Sequence, residues 1–291
     1  MDKWRMHLVV PDDLDRVDMI LRSWETPGGC GGTIQAGDIG WKLRFGRQAT
    51  AESLLEWRSS GGGTAVVVCQ DSPDDWWFAM DPALARDRAL ADSIADWAME
   101  VNLGAAMSVD GPGAPSVWRQ VFVERGFEAT TDAWAHLWMP LGHADAVDVP
   151  GCRIHAGNEQ AIADRVAVQK AASANSTFTV ERWHAMAAGP SFRPEFDLLA
   201  RDEAGNPVAA ITVWLPGDGK CGLIEPMGTH PDHRRQGHGA RVILAACAAL
   251  ARAGASGVCV VTPESNAAAV GVYRAAGFRH VGLLSAMVRP A

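Results

Sequence analysis

The chain has 291 residues, 48% of them apolar and 21% charged, a soluble globular composition long enough for two ordinary domains; a disordered chain is excluded. The formal net charge of −8 argues against general nucleic-acid binding and is compatible with a cationic partner. The opening MDKWRMHLVV turns at Pro11 and Asp12 after only a brief apolar run, so it reads as neither secretory signal nor membrane span, and a cytoplasmic location without membrane contact is expected.

In chain order, WRMHLVV reads as a strand, followed by a helix led by Pro11 and Asp12 with Leu14, Val17, Ile20 and Leu21 on one face. Pro27 to Gly32 is a glycine-rich loop. Ile39 to Phe45 alternates like a strand, TAESLLEWR like a short helix capped by Thr50, and Ser59 to Gly63 breaks the chain before the strand TAVVVCQ. A turn at SPDD, the strand WWFAM, a helix from about Pro82 to Met99, the strand LGAAMSV, the loop GPGAP, a helix from Ser116 to Arg125 and a strand from Phe127 to Met139 complete the first half.

Gly142 to Gly151 has linker composition, which divides the chain into domains at 1–142 and 152–291 with 143–151 between. The second half reads as a strand near Arg153 to His155, a helix through Ile162, Val166 and Val168, and a helix near Val180 to Ala188. The strands FDLLARDE, VAAITVWL and CGLIEPMGT follow, then a long Ala-rich helix, the strand GVCVVT, a helix from Asn266 to Ala276 and a closing strand. That order describes a mixed sheet flanked by helices, an α/β domain.

An internal repeat supports the division. Asp81-Pro82 falls over His230-Pro231, each ahead of a long helix, and Gly126-Phe127 falls over Gly277-Phe278, each ahead of a last strand. In that register Arg88 and Leu90 stand where the second half has Gly237 and Gly239, and Phe122 stands for Tyr273. Ten of the twelve tryptophans lie in the first half, most of them expected in its core rather than in a substrate wall. The six cysteines include no C-x-x-C pair and read as reduced, mostly buried thiols, with no metal site expected.

The chain is organised around the segment from Leu223 to Gly254. Its helix starts among His230, His233, Arg234, Arg235, His238 and Arg241, although a helix N-terminus carries partial positive charge and prefers acidic neighbours. Such crowding suits an anion held by loop amides, the helix start and arginines, with Gly237 and Gly239 permitting close backbone approach. Neither G-x-x-x-x-G-K-S/T nor G-x-G-x-x-G is present, which disfavours a P-loop and a dinucleotide fold.

Arg234-x-x-Gly237-x-Gly239 instead resembles the acetyl-CoA pyrophosphate loop of the GNAT superfamily of acyl-CoA N-acyltransferases. Glu264 to Phe278, with Asn266 opening a helix, Ala269, Tyr273 and then Gly-Phe, resembles the family's second signature. The resemblance implies two tandem GNAT-like domains with a degenerate N-terminal copy, a layout similar to mycothiol synthase. It implies acetyl-CoA, without a metal, held by Met227, Gly228, Thr229, Arg234, Arg235, Gln236, Gly237, His238, Gly239, Ala240, Asn266, Ala269 and Tyr273. Transfer is then expected to a primary amine of a small molecule or peptide by direct attack in a ternary complex, in a monomer or homodimer.

Within that resemblance Tyr273, the only tyrosine, is expected to return a proton to the thiolate as general acid, its pKa of ~10 lying near a thiol's ~8.5. The strand from Glu225 to Thr229 is expected to splay from its neighbour and direct an N–H at the thioester carbonyl, with Pro226 interrupting the ladder. Glu225, a carboxylate in an apolar strand, is the candidate general base; Glu264, His230 and His233 are weaker candidates. The alternative is a non-catalytic acyl-CoA-binding regulatory module.

Overall fold

The computed structural model describes residues 4–26, 33–101, 104–109, 117–154, 158–173 and 175–290. The glycine-rich loop at 27–32 with Cys30, the GPGAP loop, Ser116 and His155 lie outside them. The first half contributes β1 (Trp4–Leu8), α1 (Leu14–Trp24), α2 (Ala36–Lys42), α3 (Arg47–Glu52), β2 (Leu54–Ser59), β3 (Thr64–Ser72), β4 (Asp75–Met80), α4 (Arg88–Val101), β5 (Ala106–Ser108), α5 (Val117–Glu124) and β6 (Glu128–Pro140). The second half contributes β7 (Cys152–Ile154), α6 (Glu159–Ala172), α7 (Val180–Ala187), β8 (Asp197–Arg201), β9 (Pro207–Trp214), β10 (Cys221–Thr229), α8 (His238–Arg252), β11 (Gly257–Pro263), α9 (Ala267–Ala275) and β12 (Arg279–Val288).

The described strands form one sheet in the order β1-β2-β3-β4-β5-β12-β6-β11-β10-β9-β8-β7. The two halves exchange their last strands: β6 lies between β11 and β12, and β12 lies between β5 and β6. The exchange carries core residues with it. Met287 of β12 is fully buried among Phe78, Trp118 and Phe122 of the first half, while Ala135 and Leu137 of β6 are buried with Val242, Leu250 and Val260 of the second.

Two segments differ from the sequence expectation. Ile39 to Phe45 is α2 followed by a 3-10 turn, Leu43–Phe45, not a strand. This helix is covered on two sides, Ile39 and Leu43 packing in the first-half core and Gly37 and Gly40 lying against Trp214, so the one-sided apolar period of a surface helix is lost. TAESLLEWR is helical only to Glu52, and Leu54–Ser59 forms β2. Thr50 is not its cap, because its hydroxyl donates back to the Gly46 carbonyl at 2.9 Å from inside α3.

Under the second half lies a buried polar network. Arg165 of α6 donates from Nε to Asp197 Oδ1 at 3.1 Å and from Nη2 to Thr212 Oγ1 at 2.7 Å, and Trp183 Nε1 donates to Asp197 Oδ2 at 2.7 Å. These bonds tie α6 and α7 to β8 and β9. The five described cysteines are free, and no helix of the described residues is long and apolar enough to cross a membrane.

Candidate active site

β10 pairs with β11 only through Cys221, Gly222 and Leu223, opposite Gly257, Val258 and Cys259. Beyond that point the two strands part. β10 remains on β9, but its register shifts between Ile224 and Met227 around the cis Glu225-Pro226 peptide, as the position of Pro226 suggests. Where the strands separate there is a cavity of about 540 Å³, lined by Glu225, Pro226, Met227, Thr262, Asn266, Ala269 and Tyr273 of the second half.

The first half supplies the opposite wall: Thr33, Gln35, Asp38, Asp75, Trp77, Ser108, Asp132, Trp134 and His136. Sequence reasoning missed all of these as site residues. Among the described lining residues the charged side chains are Asp38, Asp75, Asp132 and Glu225, with no Lys or Arg. Burial, with His280 nearby, pushes the His136 imidazole down to about 4, so it is neutral near pH 7 and leaves the cavity electrically negative.

Glu225 faces this cavity rather than bulk water. Burial, then the charge of Asp38 and a hydrogen bond with it, raise its carboxyl well above the ordinary range, against the nearby Arg44 guanidinium. Asp38 is raised as well, first by burial; its Oδ2 accepts the Gln35 N–H at 2.6 Å. Tyr273 is 5% exposed, its ring 5.5 Å from Phe278, and burial keeps its phenol protonated to higher pH than a free tyrosine.

The basic loop lies beside the cavity. Gly237, at φ 83°, is the N-cap of α8, and no side chain caps the helix, nor does its first turn contain an acid. The first amides of α8 are left for an outside acceptor. A Cβ on Gly237 would meet nothing within 4 Å, so its glycine is required by the left-handed backbone, not by close approach to a neighbour. Gly239 answers to packing: an added Cβ would lie 3.0 Å from Thr229 Oγ1 and 3.1 Å from Met227 Cε, which joins the helix start to the cavity wall.

The remaining predicted residues sort into two groups. Arg234, exposed, donates to the Ala172 carbonyl at 3.0 Å, Gly228 lies under Ala172, and Gln236 donates to the Asp232 carbonyl at 3.3 Å. Arg235, at φ 61°, is exposed, while His238 and Ala240 sit in the first turn of α8, half-buried. Asn266 caps α9 by accepting the Ala269 N–H at 3.2 Å. Glu264, His230 and His233 do not line the cavity.

The corresponding positions of the first half are closed. The Asp87 carboxylate accepts the Leu90 N–H at 3.1 Å at the start of α4, Arg88 is bonded to Glu124, and Leu90 is fully buried. β4 and β5 pair only at Asp75–Trp77. Past that point Thr33 fills the gap, its hydroxyl accepting the Phe78 N–H at 2.9 Å and donating to the Ser108 carbonyl at 2.8 Å. Phe122, in the place of Tyr273, is buried in the core.

Two tandem α/β units, one with parted strands beside an uncapped helix, define an acyl-CoA N-acyltransferase fold. Residues 169–278 match the model of the acetyltransferase (GNAT) family. The whole chain is similar in fold to a GCN5-related N-acetyltransferase from Sphaerobacter thermophilus, at 16% identity and TM-score 0.57 over 99% of this chain and 95% of that one. It is also similar to a tandem GNAT protein from the clavulanic acid biosynthesis pathway, at 14% identity and TM-score 0.55 over 98% and 97%. Saccharomyces cerevisiae N-myristoyltransferase, solved with myristoyl-CoA and inhibitors, aligns at 11% identity and TM-score 0.58 over 99% and 80%. No curated protein matches the chain in sequence.

Proposed function

We propose that the protein is an acetyl-CoA-dependent N-acetyltransferase acting on a small primary amine in the cytoplasm by direct transfer, with residues 152–291 as the catalytic copy and 1–142 as a degenerate one. The observation that carries this is the parting of β10 from β11 after Leu223 and Cys259, at a cavity that holds both Glu225 and Tyr273. The residues fit the cofactor: the bare start of α8 suits a diphosphate, and the β11-facing side of β10, unpaired beyond Leu223, suits an amide-bearing arm.

When bound, acetyl-CoA supplies the activated thioester. Met227 to Thr229 and the amides of Gly237 to Ala240 would hold it, with Asn266, Ala269 and Tyr273 on the side of its sulfur-bearing arm. Glu225 takes a proton from the acceptor ammonium, and Tyr273 holds the proton that the departing thiolate needs. The carboxylates of the first-half wall favour a cationic acceptor, and holding amine and thioester together contributes much of the acceleration.

Incubation with acetyl-CoA and a panel of small amines, followed by release of free thiol, tests this. Amine-dependent thiol release is expected; binding of acetyl-CoA with no release across the panel would instead favour a non-catalytic acyl-CoA-binding module. Gly237→Val puts a β-branched residue at φ 83°, a strain of about 1–3 kcal/mol. Its Kd for acetyl-CoA by calorimetry is expected to rise at least ~10-fold as the loop rearranges, and an unchanged Kd removes the loop from the cofactor site.

A further inference from the structure

Two glycines on one face of α2 press the first half against the reaction centre of the second. An added Cβ on Gly37 would lie 2.7 Å from Trp214 Cβ, and one on Gly40 would lie 2.5 Å from Trp214 Cζ3. Real side chains do not approach so closely, so only glycine allows α2 to lie flat on this tryptophan. The same indole donates from Nε1 to the Glu225 carbonyl at 2.5 Å. One residue on from Gly37, Asp38 is thereby set against Glu225 across the boundary between the halves, and both line the cavity.

We propose that Asp38 and Glu225 form a carboxyl pair that exchanges one shared proton for the ammonium group of a cationic amine acceptor, with Glu225 taking the acceptor's proton and Asp38 as its positioning partner. The proposal rests on the acetyltransferase function above. In the free protein one proton bridges the two carboxyls, because like charges in a buried contact do not both ionise readily. Loss of that proton opens a doubly charged seat for the ammonium. The acceptor N–H bond then breaks, its proton passes to a Glu225 oxygen, the nitrogen keeps the electron pair, and the pair again holds one proton, later lost to water.

The other charged groups facing this pair are Arg44, whose guanidinium lies over the Trp41 ring at 4.0 Å, and Lys42, which is bonded to Asp71 at 3.1 Å. Burial lowers Arg44 to about 10. It therefore remains charged near pH 7 and limits how far the pair is raised without abolishing the effect. The titration belongs to the pair rather than to either residue.

Infrared spectra of the full chain at pH 7 test the proposal through the carbonyl stretch of a protonated carboxyl. The band is expected in the wild type and weakened or shifted in both Asp38→Asn and Glu225→Gln; its absence from the wild type, or an unchanged band in either variant, overturns the pair. Should one variant fail to fold, the other reads the same proton from the opposite side. With the best acceptor of the amine panel, the acid limb of kcat/KM is expected to move down by roughly one pH unit in Asp38→Asn, since Glu225 keeps the effect of burial but loses the neighbouring charge that adds to it. A limb that does not move overturns the role of Asp38. Binding of acetyl-CoA by both variants at wild-type affinity separates failure of the pair from failure of the acetyltransferase assignment, which would show as no binding at all.

Discussion

Tyr273→Phe is expected to lower kcat by roughly 10²- to 10⁴-fold, the usual weight of a general acid, while the affinity for acetyl-CoA and the melting temperature stay unchanged. The ring is 5% exposed and packed on Phe278, so the phenyl group keeps every apolar contact. Burial alone raises the phenol, and among the described residues nothing is hydrogen-bonded to the hydroxyl, so its proton is uncommitted. A thiolate formed in the same poorly hydrated space has its own pKa raised by the same cause, which keeps donor and acceptor matched. Steady-state kinetics with calorimetry decide the matter: unchanged turnover removes Tyr273 from proton transfer, and a large loss of affinity reduces it to a packing residue.

Arg165→Met is expected to destabilise the protein by about 3–5 kcal/mol, the cost of leaving one partner of a buried ion pair uncompensated, and to lower the melting temperature by roughly 10 °C. The guanidinium is fully buried, and Asp197 is 1% exposed, so water cannot replace the lost charge. Methionine preserves much of the volume against Phe178, over whose ring Arg165 lies at 4.9 Å. Adding Asp197→Leu should recover part of the loss, because a well-packed apolar pair replaces a stranded carboxylate. Thermal and urea unfolding of the two variants measures both effects, and a cost below ~1 kcal/mol for the single change contradicts the assigned role.

The second half was legible because its backbone geometry leaves marks on residue type. A left-handed N-cap calls for Gly237, a helix opening beside a cavity for Asn266, and a break in the ladder for Pro226, and each of these shows in a short stretch of sequence. Gly239 reads in the sequence as allowing close backbone approach to an anion, whereas in the fold it makes room for Thr229 and Met227. The first-half wall of the cavity was not legible. Asp38 meets Glu225 only when the two halves come together, and α2, buried on both sides, shows an alternation of Ile39, Trp41, Leu43 and Phe45 that mimics a strand. The surviving clues were local: Gln35 and Asp38 at helix-opening spacing, and Gly37 and Gly40 one turn apart. The strand exchange leaves no trace, because β6 and β12 have the same pattern whichever half they pair with.

That exchange sets the order in which the molecule is completed. As the polypeptide emerges from the ribosome, the first half is made early, yet the place between β5 and β6 stays vacant until β12, Arg279–Val288, has been synthesised. The older half therefore finishes last, closed by the younger one. A chain severed within 143–151 yields two pieces that each lack a strand, and neither piece recovers a complete sheet except by finding the other.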